Sequence, residues 1–281
     1  MRARRRPIRW SSLNVTLWCL LLGACASATQ RARDFASQHA LTDSLIQGEA
    51  FEHQVFWSSH PDGKVLYVFI DGDGVPWSGH GTRVASDPTP LHPLALALAA
   101  RTAHPVLYLG RPCYFSVHDR AGCTPGVWTS GRYSAQVVDS MAVAANGFAA
   151  AGDYQHLVLI GYSGGGALAV LMAPKVPSTR AIITIAANLD VGEWARVHGY
   201  LPLDQSLDPA TQPALPSAIA QRHLFGGRDL TVPERSTVRY FQRLQASQLW
   251  RFPGFDHVCC WIRHWPDILK HLDEEMALNA P

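Results

Sequence analysis

Short runs of apolar residues alternate with longer helix-like stretches over most of the chain, and this alternation constrains the fold more than any other feature. The apolar runs cover residues 65–70, 105–109, 156–160, 181–186, 223–225 and 248–252. Each run is continuous and rich in valine, isoleucine, leucine or aromatic residues, which is typical of a strand buried on both faces. The helical stretches cover residues 90–101, 134–151, 164–172, 233–246 and 258–278. The pattern predicts an α/β fold, with a mostly parallel sheet flanked by helices on both faces.

One domain is predicted from residue 46 to residue 281, because neither an internal repeat nor an interdomain linker interrupts the pattern. Hydrophobic residues make up 47% of the chain and charged residues 16%, which fits a packed core rather than a disordered chain. Residues 50–58 are expected to form an antiparallel hairpin at the edge of the sheet. Residues 26–45 show no strong pattern and are expected to form a polar tether.

Residues 1–24 have the features of a secretory signal peptide. Five arginines lie within the first nine residues, and an apolar stretch follows from about residue 13 to residue 22. That stretch is too short to span a membrane comfortably, so its removal is the favoured interpretation. Residues 22–25, Leu-Gly-Ala-Cys, resemble a bacterial lipobox, and Cys25 is therefore expected to become the lipidated first residue. A retained anchor helix, or ordinary cleavage after Ala26 or Ala28, are the alternatives.

The predicted export changes what the charge of the chain means. The full sequence has a formal net charge of +2, and loss of the five leader arginines gives +2 − 5 = −3. A mildly acidic body argues against an electrostatic nucleic-acid binder. The expected location is the bacterial cell envelope, with the protein anchored to the membrane by lipid and facing the periplasm or the exterior.

Four cysteines remain after this processing, an even number in an oxidising compartment. Cys113 and Cys123 bracket a polar loop that a disulfide between them would hold in place. Three states are open for the adjacent Cys259 and Cys260: a vicinal disulfide, two free thiols, or one partner for another cysteine. The spacing is not that of a zinc site, so no metal is expected through these cysteines.

Residues 161–165, Gly-Tyr-Ser-Gly-Gly, follow a predicted strand and begin a predicted helix. This G-x-S-x-G pattern is typical of a nucleophilic serine on a sharp turn between strand and helix. The glycines two positions away let the strand and the helix approach each other. The turn holds the Ser163 hydroxyl at a helix N-terminus, where backbone N–H groups favour negative charge. An ordinary Gly-Ser turn before a helix is the alternative interpretation.

From about residue 50 to its end the chain resembles the α/β-hydrolase superfamily, whose catalytic residues occur in the order Ser, Asp, His. Residues 223–233, His-Leu-Phe-Gly-Gly-Arg-Asp-Leu-Thr-Val-Pro, have the G-x-x-D-x-x-V-P shape of that family and place Asp229 just after a strand. Residues 252–257, Phe-Pro-Gly-Phe-Asp-His, place His257 after the last strand. The resemblance implies a triad of Ser163, Asp229 and His257, with His257 as the base and Asp229 as the acid that orients it.

Two other acids compete with Asp229 for that role. Asp190 follows the strand at residues 181–186, a position that some members of the superfamily use. Asp256 adjoins the histidine, and a sequence neighbour usually points elsewhere. Asp229 is favoured over both. A lone histidine is more often structural than catalytic, and the position of His257 after the last strand favours the catalytic interpretation.

The resemblance also implies an oxyanion hole of two backbone N–H groups, one from Gly164 and one from the loop after the strand at residues 65–70. That loop reads Asp71-Gly72-Asp73-Gly74, so Asp73 would be the second donor. The family often has a histidine where this chain has an aspartate. Two acids beside a forming oxyanion are unfavourable unless their carboxylates turn away or are neutralised. The other interpretation, a calcium loop, lacks further acids at the required spacing.

The expected activity is hydrolysis of small to medium acyl esters through an acyl-enzyme, without a cofactor. Only about 35 residues separate the strand at 181–186 from that at 223–225, which leaves room for a short flap and a minimal cap. Trp77, Tyr162 and residues 114–128 are candidates to line the cleft, or else they pack in the ordinary way. The same triad would serve a peptidase, thioesterase or lipase. A non-catalytic envelope lipoprotein that uses the fold for binding is the competing class of function.

Overall fold

The computed structural model of the chain describes residues 27–60, 63–79, 81–115 and 121–278. The predicted signal peptide and Cys25 lie outside the described residues. Within these ranges no helix is long and apolar enough to cross a membrane.

An eight-stranded sheet with the order β1-β2-β6-β3-β7-β8-β9-β10 forms the centre of the described chain. Its strands are β1 (Thr42–Gln47), β2 (Glu52–Ser58), β3 (Val65–Ile70), β6 (Val106–Leu109), β7 (His156–Tyr162), β8 (Thr179–Ile185), β9 (Ala220–Gly226) and β10 (Leu249–Phe252). The strands from β6 to β10 in this order run parallel, and β2 pairs antiparallel with both β1 and β6. A separate small hairpin joins β4 (Trp77–Ser78) and β5 (Arg83–Val84). The mostly parallel sheet predicted from the apolar runs is confirmed.

The helices of the described chain surround this sheet. They are α1 (Ala28–Gln38), α2 (Leu94–Ala99), α3 (Pro125–Trp128), α4 (Ala135–Ala151), α5 (Gly164–Met172), α6 (Val191–His198), α7 (Val238–Phe241) and α8 (Trp261–Met276). All residues of β3, β6 and α5 are buried, because these elements lie in the middle of the layered structure. The predicted edge hairpin exists as β1 and β2, but it begins at Thr42 rather than at residue 50.

The prediction of a polar tether at residues 26–45 is wrong. Helix α1 occupies residues 28–38, and its buried residues Thr29, Ala32 and Ala36 lie on one face. The side chain of Ser27 accepts a hydrogen bond from Gln30 N and caps the helix. The apolar stripe is built from small residues in a polar stretch, so the average polarity of the segment concealed the helical period.

The helix predicted over residues 233–246 is also incomplete. The segment holds a 3-10 turn at Glu234–Ser236 and the single turn α7. The hydroxyls of Ser236 and Thr237 donate to the carbonyls of Pro233 and Glu234, three residues earlier. Such local side-chain hydrogen bonds compete with the regular helix ladder, so the helical pattern breaks here.

Candidate active site

Three parallel strands bring the predicted site residues to one edge of the sheet. Ser163 lies between β7 and α5, Asp229 follows β9 by three residues, and His257 follows β10 by five. Because β7, β9 and β10 run in the same direction, their carboxyl ends meet at the same edge of the sheet. Three residues that are far apart in the sequence therefore lie close together in the fold.

Ser163 has a backbone conformation that side chains rarely adopt, with φ 53° and ψ −123°. The glycines beside it are required by close packing. A β carbon at Gly161 would overlap with the Gly165 carbonyl, and one at Gly165 would overlap with the Ile70 carbonyl. The strained turn is held by a hydrogen bond from Ser163 N to Ile185 O at 2.9 Å, and it presents the serine at the N-terminus of α5.

A continuous chain of hydrogen bonds joins the three side chains. His257 Nε2 lies 3.1 Å from Ser163 Oγ, and His257 Nδ1 lies 2.8 Å from Asp229 Oδ2. Because a carboxylate only accepts, Nδ1–H donates to Asp229 and Nε2 is left to accept from the serine hydroxyl. The other oxygen, Asp229 Oδ1, accepts from the backbone N–H groups of Thr231 and Val232, each at 2.8 Å. The carboxylate is therefore fixed on both sides and excluded from solvent.

Two aromatic residues hold His257 in this position. The ring of Tyr162 lies 5.1 Å from the imidazole ring, centroid to centroid. The indole N–H of Trp261 is within hydrogen-bonding distance of two backbone carbonyls, that of Asp256 at 3.1 Å and that of His257 at 3.2 Å. Trp261 is fully buried, so it anchors the histidine loop to the core.

Neither rival acid bonds to His257. Asp190 accepts from Glu193 N at 3.0 Å as the N-cap of α6, and it forms an ion pair with Arg239 at 2.6 Å. Asp256 accepts from the backbone N–H groups of Val258 and Cys259 at 2.9 and 2.7 Å. The role of each rival is local: Asp190 caps a helix and Asp256 closes a turn.

A second serine–histidine contact lies elsewhere in the fold. His53 Nε2 is 2.9 Å from Ser140 Oγ, and His53 Nδ1 is 2.9 Å from Gly110 O. The serine oxygen also accepts from Phe51 N at 3.1 Å. Both side chains are fully buried, and burial lowers the pKa of His53 to about 4 although its hydrogen bond to Gly110 raises it. This pair is an internal hydrogen-bonded network that joins β2 to α4, out of reach of a substrate.

Asp71 and Asp73, the two acids expected to be unfavourable beside an oxyanion, both accept hydrogen bonds from neighbouring donors. Asp73 forms ion pairs with Arg111 at 2.6 Å and with Arg132 at 2.8 Å. Burial raises the pKa of its carboxyl, but the two guanidinium groups outweigh burial and hold that pKa well below the usual range. Asp71 accepts from Gly72 N at 2.9 Å and from Ala95 N at 3.1 Å. Burial raises the pKa of Asp71 to about 6, and these backbone donors oppose the increase.

Of the predicted lining residues, Trp77 on β4 is 43% exposed and Tyr162 is nearly buried against His257. Two aromatic residues of segment 114–128 pack in the interior. Tyr114 and Trp128 are buried, and their polar groups donate to the backbone carbonyls of Asp73 and Ala85. Tyr114 is thereby joined to the loop that follows β3, and Trp128 to the chain that follows β5. The contacts of this segment could not be read from the sequence, in which only the bracketing cysteines marked it as special.

Both pairs of remaining cysteines are bonded in the structure. Cys113 and Cys123 form a disulfide, as their spacing suggested. Cys259 and Cys260 form a vicinal disulfide, one of the three states that the sequence left open. Among the described residues no group of three or more histidine, cysteine or acidic side chains is arranged to hold a metal ion.

Solved structures of α/β hydrolases share the fold of this chain. A membrane phospholipase A, described as a bacterial virulence factor, is similar with a TM-score of 0.59 and 17% identity over 92% of this chain and 94% of its own. An esterase of Pyrococcus furiosus has a TM-score of 0.58 and 12% identity over 84% and 89% of the two chains. A serine hydrolase of Xanthomonas campestris, described as lacking a lid, has a TM-score of 0.51 and 16% identity over 83% and 92%.

The fold of the chain is therefore the α/β-hydrolase fold, with a mostly parallel eight-stranded sheet flanked by helices. At such low identity the likeness establishes the fold and no particular activity. No protein-family model matches the sequence, and no curated protein matches it.

Proposed function

We propose that the protein is a serine hydrolase that cleaves acyl esters, with Ser163 as nucleophile, His257 as general base and Asp229 as the acid that orients the base. The observation that carries this proposal is the hydrogen-bonded chain from Ser163 Oγ through His257 to Asp229, at 3.1 and 2.8 Å. The fold shared with esterases, a lipase-like enzyme and other hydrolases supports it.

The proposed reaction proceeds in two stages, acylation of Ser163 and hydrolysis of the acyl-enzyme. His257 Nε2 takes the hydroxyl proton as Ser163 Oγ attacks the ester carbonyl, and the imidazolium is stabilised by Asp229. The tetrahedral oxyanion collapses, the ester oxygen leaves with the proton from His257, and an acyl-enzyme remains. Water then adds to the acyl carbon, giving its proton to His257, and the second collapse returns that proton to Ser163 and releases the acid. No cofactor enters this reaction.

An open entrance supports small to medium acyl esters as the substrates. Leu230 and Val258, which directly follow the acid and the base, are 78% and 62% exposed. The segment between β8 and β9 contains only α6 and a 3-10 turn at Pro209–Thr211, which is a minimal cap. Comparing kcat/KM for p-nitrophenyl acetate, an acyl thioester and a p-nitroanilide of the same acyl group would separate an esterase from a thioesterase or a peptidase.

Labelling with a fluorophosphonate probe tests the proposed nucleophile. Ser163→Ala should abolish labelling and hydrolysis of p-nitrophenyl acetate, with little change in the melting temperature. Ser140→Ala is the matched control, because it removes the hydroxyl of the buried serine–histidine pair. Labelling that persists in Ser163→Ala would overturn Ser163 as the nucleophile. A wild-type protein that the probe does not label would favour the alternative function, a non-catalytic envelope lipoprotein.

We further propose that the protein is exported and anchored to the envelope membrane by lipid on Cys25. The leader arginines, the short apolar stretch and the Leu-Gly-Ala-Cys motif support this. Several acyl chains, as bacterial lipoproteins carry, give stable attachment, whereas one chain is marginal. Helix α1 begins at Ala28, so the folded body would lie directly against the membrane surface.

Metabolic labelling with a fatty-acid analogue tests the anchor. Cys25→Ser should remove the label and shift the protein to the soluble fraction or leave it unprocessed. A soluble wild-type protein whose mature N-terminus lies beyond Cys25 would disprove lipidation and leave the proposed hydrolase activity intact.

A further inference from the structure

Asp73 is held by four side chains that the proposed triad does not use. Its carboxylate accepts from Arg111 at 2.6 Å, from Arg132 at 2.8 Å and from the hydroxyl of Tyr133 at 2.8 Å. Its backbone carbonyl accepts from the hydroxyl of Tyr114 at 2.8 Å. We call these four residues the Asp73 clamp; all four are buried. The clamp therefore fixes both the side chain and the main chain of one residue.

The clamped residue lies directly beside the proposed nucleophile. A β carbon at Gly72 would lie 3.1 Å from Ser163 Cβ and 3.4 Å from Ser163 Oγ, so the Gly72–Asp73 peptide passes close to the hydroxyl. On the other side, a β carbon at Gly164 would overlap with the Asp73 carboxylate and would lie 2.5 Å from the Tyr133 hydroxyl. The two peptides expected to supply the oxyanion donors are thus packed against each other around Asp73.

The charge of the clamp suits a site where negative charge develops. Arg111 and Arg132 together oppose one carboxylate, so the cluster of these three residues carries one net positive charge. Burying two guanidinium groups costs desolvation free energy, which the carboxylate of Asp73 and the backbone carbonyls of Arg132 and Thr129 offset in part. A buried cluster of charges with perturbed pKa values beside the proposed nucleophile is typical of a functional site.

The loop that delivers the clamp is itself strained. Cys113 and Phe115, on either side of Tyr114, have φ values of 70° and 58°, in the left-handed region that favours glycine. Two contacts hold this conformation: the disulfide between Cys113 and Cys123, and a hydrogen bond from Phe115 N to Thr89 Oγ1 at 2.6 Å. Strain that surrounding contacts impose is typical of functional loops. Here the strained residues flank the tyrosine that bonds to Asp73.

We infer that the Asp73 clamp is a positioning device, which fixes the Gly72–Asp73 peptide so that Asp73 N–H serves as the second oxyanion donor. This inference rests on the proposed serine hydrolase function and adds four positioning residues to it. Preorganised donors stabilise an oxyanion because they need no reorganisation as the charge forms. Loosening the clamp should therefore weaken binding of the transition state and leave binding of the substrate unchanged.

Tyr114→Phe is the first test, because it removes only the hydroxyl that bonds to the Asp73 carbonyl. Loss of a direct oxyanion donor costs about 10²- to 10³-fold in kcat, so loss of one positioning contact should cost about 10-fold. KM should stay within about twofold of its original value, since the lost stabilisation belongs to the transition state. Tyr133→Phe, which removes the hydroxyl bonded to the carboxylate, should have the same effect and covers the case that Tyr114→Phe does not fold.

The inhibition constant of a trifluoromethyl ketone distinguishes a positioning role from a merely structural one. Ser163 Oγ adds to the ketone carbon, the proton passes to His257, and the former ketone oxygen becomes an oxyanion in the proposed hole. The inhibition constant should rise in each variant by the factor by which kcat/KM falls. Tyr67→Phe is the matched control. Tyr67 is a buried residue of β3 outside the site, and its hydroxyl donates to Asp273 at 2.6 Å. It should leave kcat and the inhibition constant unchanged.

The outcomes separate this inference from the proposed function. If Ser163→Ala abolishes fluorophosphonate labelling while Tyr114→Phe and Tyr133→Phe keep the original kcat and inhibition constant, the clamp has no positioning role and the inference is overturned. A raised KM with unchanged kcat would also overturn it, because that result belongs to a residue that binds the ground state. A wild-type protein that the probe does not label would overturn the proposed function itself, and labelling that survives Ser163→Ala would move the nucleophile away from the Asp73 clamp.

Discussion

The two oxygens of Asp229 have different partners, and this makes Asp229→Asn a sharp test of the proposed acid. Oδ1 accepts from the backbone N–H groups of Thr231 and Val232, and Oδ2 accepts from His257. In the variant the single amide oxygen must stay with the two backbone donors, so the amide NH₂ faces the imidazole. An NH₂ group only donates, so His257 Nδ1 must lose its proton and Nε2 must carry it. A protonated Nε2 cannot accept the proton of Ser163.

The expected loss in kcat is about 10⁴-fold, as the corresponding Asp-to-Asn change causes in a serine protease triad. That factor equals about 5.5 kcal/mol of transition-state stabilisation. The side chains are nearly isosteric and the two backbone hydrogen bonds persist, so the free energy of unfolding should change far less. The assay is the initial rate of p-nitrophenyl acetate hydrolysis, with urea denaturation of the same preparation.

Asp190→Asn is the matched control. Asp190 is fully buried and paired with Arg239, whose side chain is 53% exposed, so the lost ion pair should cost on the order of 1 kcal/mol of stability. An asparagine still caps α6. The rate of ester hydrolysis should stay close to the original value. A near-normal rate in Asp229→Asn together with a large loss in Asp190→Asn would refute the reasoning and transfer the role of the acid to Asp190.

Three further predictions follow from other parts of the fold. Gly164→Ala should abolish hydrolysis because the added β carbon would overlap with the Asp73 carboxylate. Gly147→Ala is its control: this glycine is exposed on α4, and a β carbon there meets open space. The control should raise the free energy of unfolding by about 0.5–1 kcal/mol and leave the activity unchanged. Replacing Cys113 and Cys123 together by serine should cost about 3 kcal/mol in urea denaturation, since the disulfide closes a loop of ten residues; an unchanged midpoint would contradict this. Burial and, to a lesser degree, the charge of Arg222 lower the pKa of His223 in the folded protein to about 3. As the pH falls, His223 is therefore protonated in the unfolded chain before it is protonated in the folded protein. The contribution of neutral His223 to the free energy of unfolding is thus fully present above about pH 6.5 and is lost as the pH falls toward 3. His223→Asn should flatten the pH dependence of the free energy of unfolding between these two pH values.

Most of the sheet could be predicted because its central parallel strands are buried on both faces and therefore read as continuous apolar runs, whereas the edge strand β10 is only partly buried. Strand β3 is predicted at the observed bounds, and α5 is predicted to the residue. The edge of the sheet was harder. Strand β1 alternates exposed and half-buried residues, and α1 buries only small side chains, so neither stands out against a polar background. The hydrophobic signal weakens where an element buries little apolar area.

The candidate site could be predicted in part, because its three side chains follow strands whose order the fold dictates. Ser163 sits on a turn whose glycines are required by backbone contacts, and a steric requirement of this kind leaves a local pattern in the sequence. The choice between Asp229 and Asp190 needed the structure. Both follow parallel strands, and the structure distinguishes them, because Asp190 is paired with Arg239 while Asp229 is paired with His257.

The Asp73 clamp could not be predicted, and the reason is a general one. Its members are spread between residues 111 and 133, and their partner lies almost forty residues earlier, so no local spacing records the contact. From the sequence, Asp73 was expected to disfavour an oxyanion unless its carboxylate turned away or was neutralised. The structure meets the second condition, because two buried arginines, Arg111 and Arg132, are paired with this carboxylate. An acidic residue can thus occupy a loop that stabilises negative charge, provided that neighbouring cations neutralise its carboxylate. In this chain the strained, disulfide-bonded loop after β6 brings one of those arginines to it.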